Sequence, residues 1–302
     1  MTSKSEDTEK DLNQTIQLLA LENRRLKNFI EIDKSLSLER DINRLLPLVM
    51  TKISDADKPG TGWKCQPIGI IHSCYKEKFG IPRQAGLVPE AEAEIEIFSP
   101  YNQEEAFRGL EAFSHIWILF FFHAIRHHGW KSTVRPPRLG GNQRVGVFTT
   151  RSGFRPNRIG LSAVKLERIT KKKETLILKI TGGDFLDDTP ILDIKPYLPY
   201  ADNIPEASGG FASESPLKEN KVTFSPEALS ACLAKEKEGL SKLRRLIVQI
   251  LANDPRPGYF SSKSSPSRNQ FGFKLYDVDV KWEVREKKIH VTGIETCGSN
   301  GK

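Results

Sequence analysis

The chain has 302 residues, 38% hydrophobic and 28% charged, with 46 Lys and Arg against 38 Asp and Glu for a net charge of +8. That describes a mostly globular, soluble protein of one large domain or two modest ones, and the longest apolar run, residues 116–125, is too short to cross a bilayer. The four cysteines (Cys65, Cys74, Cys232, Cys297) form no CxxC pair, which argues against a zinc knuckle and against a disulfide framework.

Residues 1–60 carry 10 basic and 11 acidic side chains. They have no apolar core like that of a signal peptide and are too acidic for a transit peptide, so a cytoplasmic protein is expected, with organelle and nucleus left open. Leu12, Ile16, Leu19, Asn23, Leu26 and Ile30 alternate at spacings of four and three, a heptad seam with one polar residue at an inner position. An oligomerising, coiled-coil helix and an appendage packed on the domain fit this equally. A second helix is expected from residue 38 to 53, before the breaker DADKPGTG.

From Lys64 the texture changes. QPIGIIHSCY and AEAEIEIFSP read as strands, EEAFRGLEAFSH as a short helix, and IWILFFFHAI as a fully buried strand. RVGVFTTR, IGLSAVKLERIT, ETLILKITGGDF and PILDIKPYLP add four β candidates. So many consecutive strands argue for antiparallel or mixed sheet, and a closed barrel would remove their edges. Residues 207–221 are small and polar, a linker. Beyond it, Ser225 and Pro226 open two helical stretches broken near Gly239, and KLYDVDVKWEV and KIHVTGIE alternate like strands. The expected fold class is mainly β / α+β. It comprises a helical extension over 1–60, a β-barrel domain over 64–207 and a small α+β subdomain over 222–302.

The charge is not spread evenly. Residues 112–166 contain no Asp or Glu and nine Lys or Arg, so the net positive charge arises there. A concentrated field of one sign attracts a polyanion. Seven of the nine are Arg, mostly beside Gly and Pro turns in VRPPRLGGNQR and TRSGFRPNRIG, which suits forked contacts to phosphate.

Individual motifs are less specific. KEKFGIPRQ closes on Pro82, Arg83 and Gln84, either a solvated connection or a loop that approaches a ligand. His123, His127 and His128 come with no HExxH or third-ligand pattern, so no metal is expected. A buried or ligand-facing His123 at the end of an apolar strand is the better reading. Asp187, Asp188 and Thr189 sit in a turn before PILDI; Asp187 there is a structural acid, a partner for a ribose, or a neighbour of a cationic methyl donor. DPRPGY presents Arg256 and an aromatic in a rigid loop suited to RNA. No GxGxxG follows a strand, so a dinucleotide fold is not supported.

Taken together, YKEKFGIPRQ, YNQEEAFRGLEAFSHIWILFFFH, VRPPRLGGNQRVGVF-TRS-FRPN-IGLS, LDDTPILDIKPYLPYAD and DPRPGY closely resemble the TrmO (YaeB/TsaA-like) family of tRNA methyltransferases. The match is dense over residues 66–207 and does not include residues 1–60. The resemblance implies a single-sheeted β-barrel that binds S-adenosylmethionine, commonly as a homodimer with the cofactor near the subunit interface. It implies methylation of N6 of threonylcarbamoyl-adenosine at tRNA position 37, beside the anticodon of threonine-type tRNA. Carried over segment by segment, the cofactor contacts would be Pro82, Arg83, Gln84, His123, Ala124, Arg151 and Leu161, with the turn Asp187, Asp188, Thr189 and Pro190. One residue departs: the family usually has glycine where this chain has Asp188.

On this reading His123 or Asp187 orients the cofactor or accepts the N6 proton. Arg135, Arg138, Arg144, Arg155, Arg158 and Arg256 are the candidates for RNA, on the phosphates of the anticodon stem-loop. No membrane partner is expected. A non-catalytic RNA-binding module that retains the fold, and a metal-dependent hydrolase using the histidines, are the competing readings.

Overall fold

A computed structural model describes residues 65–125, 129–216, 220–256, 270–285 and 288–297. The heptad seam, the helix expected over 38–53, His127, His128 and the end of the DPRPGY loop lie outside the described residues.

The first sheet is a closed barrel. Its strands are β1 (Gly69–Ser73), β2 (Glu92–Ile97), β3 (His115–Phe121), β6 (Ile159–Lys172), β7 (Thr175–Thr181) and β8 (Thr189–Pro196), with a two-stranded ribbon of β4 (Thr133–Val134) and β5 (Val145–Gly146) inserted between β3 and β6. Around the barrel the order is β1-β2-β7-β6-β3-β8, every pair is antiparallel, and β8 returns to β1. Alternation selects the inside: along β2 and β7 every second residue is buried. Ile71, Ile95, Ile116, Ile118, Leu178 and Ile180 fill the interior with no exposed area, and each such side chain contributes about 2 kcal/mol. Gly160 is required there, since a Cβ on it would stand 2.2 Å from the Phe120 ring.

Two expectations change here. The run IWILFFF is not buried on both faces, because β3 alternates and leaves Trp117 and Leu119 partly exposed on the outer side. RVGVFTTR keeps only two strand residues. The chain then turns through a 3-10 segment, Val147–Thr149, whose exit is fixed by the Thr149 hydroxyl donating to Gly146 O (2.7 Å) and the Thr150 hydroxyl to Val147 O (2.8 Å).

The second sheet is β9 (Lys221–Phe224), β10 (Gln270–Leu275), β11 (Val278–Arg285) and β12 (Lys288–Thr296), in the order β10-β11-β12-β9. Helices α1 (Pro226–Lys237) and α2 (Leu243–Ala252) separate β9 from β10. Ser225 caps α1 by accepting from Ala228 N at 3.1 Å, with Pro226 in the first turn. In α2, Leu243, Leu246, Ile247, Ile250 and Leu251 recur on one buried stripe. KLYDVDVKWEV is not one strand but a hairpin turning at Tyr276, and β9, unexpected from four residues, pairs in parallel with β12.

The loop after β1 packs on this second core: Cys74, Tyr75, Val88 and Ala91 share a cluster with Leu246, Phe273 and Trp282. Tyr75 bridges to Leu275, Tyr276 N donates to Cys74 O at 2.8 Å, and Asn253 Nδ2 donates to Leu87 O at 3.2 Å. The segment that carries Pro82–Gln84 is thus clamped between the barrel mouth and the C-terminal sheet.

Candidate functional site

The barrel mouth next to the β2–β7 pairing gathers the segments singled out in the sequence. Gly86 N donates to Gly182 O at 2.8 Å, which ties the loop over residues 76–86 to the end of β7. Across that junction Arg151 Nη1 donates to Gln84 Oε1 at 2.6 Å. Lys78 Nζ donates to Ala124 O, and His123 lies within electrostatic reach of Lys78 and Asp187. Four of the expected contact segments therefore meet at one mouth. Pro82 is buried beneath its loop, whereas Leu161 points out of the barrel and is 50% exposed, beside buried Ser162.

The turn before β8 is built from its own acids. Asp187 accepts from Ser73 N at 2.7 Å and from Lys76 Nζ at 2.5 Å, while its backbone N–H donates to Tyr75 O at 2.9 Å. Both carboxylate oxygens are therefore engaged. Thr189 Oγ1 donates to Leu186 O at 2.6 Å, and Thr189 and Pro190 are buried. Asp188 has φ 62, the left-handed region that glycine enters freely and that Asp and Asn tolerate better than other residues. The Asp188 carboxyl is pushed up by burial and then by neighbouring Asp187. A departure from glycine is thus accommodated by one of the few side chains that suit the turn.

His123 is partly buried, and desolvation with the nearby Lys78 charge lowers its pKa to about 4. It is neutral at physiological pH. His72, Asp187 and Asp188 place ligand atoms within 4.8 Å of one another. Asp187 is held by Lys76, and His72 Nε2 pairs with Glu96 at 3.0 Å. A cavity of about 300 Å³, lined by Glu104, Arg108, Lys171 and Leu176 at the β6–β7 hairpin end, touches none of these groups.

One residue was missed by sequence reasoning. Asp184 accepts from Ser162 Oγ at 2.7 Å, and the N–H of Ala85 and the charge of Arg151 also act on it. Burial nevertheless pushes its carboxyl above the ordinary range. It joins the Gln84–Ala85 loop, the Arg151 arm and the Leu161–Ser162 stretch. Its signal was slight: an acid between Gly183 and Phe185 where the alternation of β7 ends.

The six arginines proposed for RNA differ in what they hold. Arg155 Nη1 donates to Val147 O (3.2 Å) and Thr150 O (2.7 Å), and Arg158 Nη1 to Ile125 O (3.3 Å). Arg256 forks onto Asp254 with two 2.8 Å bonds, and its carbonyl accepts from Arg83 at 2.8 Å. Arg138 is exposed but donates to Ala212 O and Glu214 O in the linker. Arg135 and Arg144 are exposed on the ribbon, Arg144 with a long 3.4 Å bond to Thr133.

Comparison with known proteins gives two family matches. Residues 70–203 match the tRNA-methyltransferase O N-terminal domain and residues 218–297 the TrmO C-terminal domain. The tRNA (adenine(37)-N6)-methyltransferase of Escherichia coli is 46% identical over 235 residues, 78% of this chain and 99% of that protein. RcsF of Pseudomonas aeruginosa, named as a candidate S-adenosylmethionine-dependent methyltransferase, is 45% identical over 72% of this chain and 90% of its own length. A crystal structure of TrmO from P. aeruginosa superposes with a TM-score of 0.65 at 37% identity, covering 80% of this chain and all of that one.

Proposed function

The chain belongs to the tRNA-methyltransferase O family, and from that premise we propose that it methylates N6 of an adenosine in tRNA using S-adenosylmethionine. The substrate of this reading is threonylcarbamoyl-adenosine at position 37, beside the anticodon of threonine-type tRNA. The observation that carries it is the meeting of Gln84, His123, Arg151 and the Asp187 turn at one barrel mouth. The donor set suits the cofactor: His123 adds no positive charge to a site that takes a sulfonium, and amide, carboxylate and guanidinium groups are at hand for its polar ends.

Bound S-adenosylmethionine supplies an electrophilic methyl group. Transfer of that methyl to N6 would leave the thioether of the spent cofactor, and the N6 proton would pass to bulk water. The protein's part is chiefly positioning. With a pKa of about 4, His123 is a weak proton acceptor at neutral pH, so its role here is to contact and orient. Asp187 holds the turn through Ser73 and Lys76, and Asp184 fixes the walls from behind. Leu161, exposed on the outer face opposite Leu119, suits a homodimer whose second copy covers this side of the pocket. Arg135 and Arg144, with Arg138, serve as phosphate contacts for the anticodon stem-loop, and the protein works in the cytoplasm. The barrel then spans 64–207 and the C-terminal subdomain 222–302.

The test is nucleoside mass spectrometry of tRNA from cells lacking the protein. Loss of N6-methyl-threonylcarbamoyl-adenosine alone, with accumulation of the unmethylated nucleoside, is expected. An unchanged nucleoside profile would refute the assignment.

A further inference from the structure

The ribbon base carries two large, exposed aromatic side chains. Val147 N donates to Ser132 O at 3.0 Å and the Val147 side chain is fully buried. That anchor turns its neighbour Phe148 outward, where it is 68% exposed, and Trp130, three residues before β4, is 53% exposed. The two rings lie 6.3 Å apart at 28°, in stacked orientation. Exposed apolar area of this size needs a reason.

Its surroundings select the partner. The Arg155 guanidinium lies 5.3 Å from the Phe148 ring centre and Lys131 Nζ 4.4 Å from that of Phe154. The whole of residues 112–166 is free of acids. Flat aromatic faces among cations are what unpaired nucleobases stack on, with the phosphates held alongside. A symmetric contact between two copies through the same patch would press like charges together.

The patch is also joined to the candidate site. Arg155, beside Phe148, donates to Thr150 O, one residue before Arg151, whose guanidinium reaches Gln84.

We propose that Trp130 and Phe148 form a stacking platform for an unpaired base of the RNA substrate, next to the nucleotide that enters the barrel mouth. This rests on the RNA-modifying function proposed above and adds where the loop, rather than the stem phosphates, is gripped. The platform supplies affinity for single-stranded loop bases and little for duplex.

The experiment uses the full chain, an anticodon stem-loop RNA and a blunt duplex RNA of equal length. Trp130→Ala and Phe148→Ala should each weaken stem-loop binding about tenfold, leave duplex binding unchanged, and leave the slope of log Kd against log salt at its wild-type value. Trp130→Phe should restore most of the affinity. Unchanged stem-loop affinity in the double alanine variant overturns the proposal. So does an equal loss on duplex RNA, or a fall in oligomer mass by sedimentation velocity, which would make the patch a protein interface. Methyl transfer by the wild-type protein is measured in parallel: if it is present while the platform variants bind RNA normally, the platform alone is wrong. If it is absent, the reaction assignment falls independently.

Discussion

Residues 131–146 and residues 147–158 are built from the same materials: Arg, Gly, Pro, and no acid in either stretch. The structure gives them different work. In the second, Arg155 and Arg158 direct their guanidinium groups inward onto carbonyls of Val147, Thr150 and Ile125, so positive charge serves as a staple for a loop without regular hydrogen bonds. Gly153 lets that loop press against the end of β3, where a Cβ would meet Ile125 at 2.6 Å. In the first, Arg135 and Arg144 stay exposed on a two-stranded ribbon. An arginine's environment, and not its sequence neighbourhood, decides whether it organises the protein or meets a partner.

The comparison is sharpest when broken from the inside. Asp184→Ala leaves the Ser162 hydroxyl and the Ala85 N–H without their acceptor. It should cost about 2–4 kcal/mol, measured by thermal unfolding, and raise KM for S-adenosylmethionine more than KM for tRNA. His123 comes next. Its folded pKa of about 4 lies below the ordinary 6.5, so above pH 6.5 both folded and unfolded states are neutral and nothing is lost. Below it the unfolded chain takes the proton first, and about 2–3 kcal/mol is lost progressively as pH falls to about 4. His123→Gln should flatten that part of the stability–pH curve. An identical acid slope in the variant would show that His123 is not the group responsible.

Arg155→Ala removes two bonds to carbonyls and should cost about 2 kcal/mol, a fall of roughly 4–8 °C in Tm. Arg135→Ala with Arg144→Ala should leave Tm unchanged while reducing the salt slope of tRNA binding by roughly 0.7–0.9 per lost phosphate contact. If the two pairs of arginines behave alike in both assays, the division between them fails. The smallest effect belongs to the turn. Asp188→Gly relieves the left-handed backbone at φ 62 and should change stability by less than about 1 kcal/mol, with methyl transfer retained.

Much of the barrel was legible because its strands are half-buried. EAEIEI and TLILKIT alternate in sequence as they alternate in burial, and the cap at Ser225 follows from local chemistry. What escaped was non-local. The four residues of β9 carry no signal of a parallel partner more than sixty residues later, and KLYDVDV conceals a turn because Tyr276 takes a positive φ that aromatic residues seldom adopt. In the site, the motif segments were visible, but Asp184 was not, since its importance lies in three neighbours that the chain brings to it from afar. Charge likewise located the basic rim without separating staples from contacts.

The parallel pairing of β9 with β12 has a consequence for how the molecule is made. All six barrel strands have been synthesised by Pro196, whereas the second sheet cannot close until Thr296 has emerged. At ribosomal speed that gap is roughly 5–20 s. During it the loop over residues 76–86 lacks Leu275, its bridge partner through Tyr75, and the Arg256 carbonyl that receives Arg83 is also late. The vessel is therefore complete before its rim, and a message truncated ahead of Arg256 would yield a barrel whose mouth lacked both contacts.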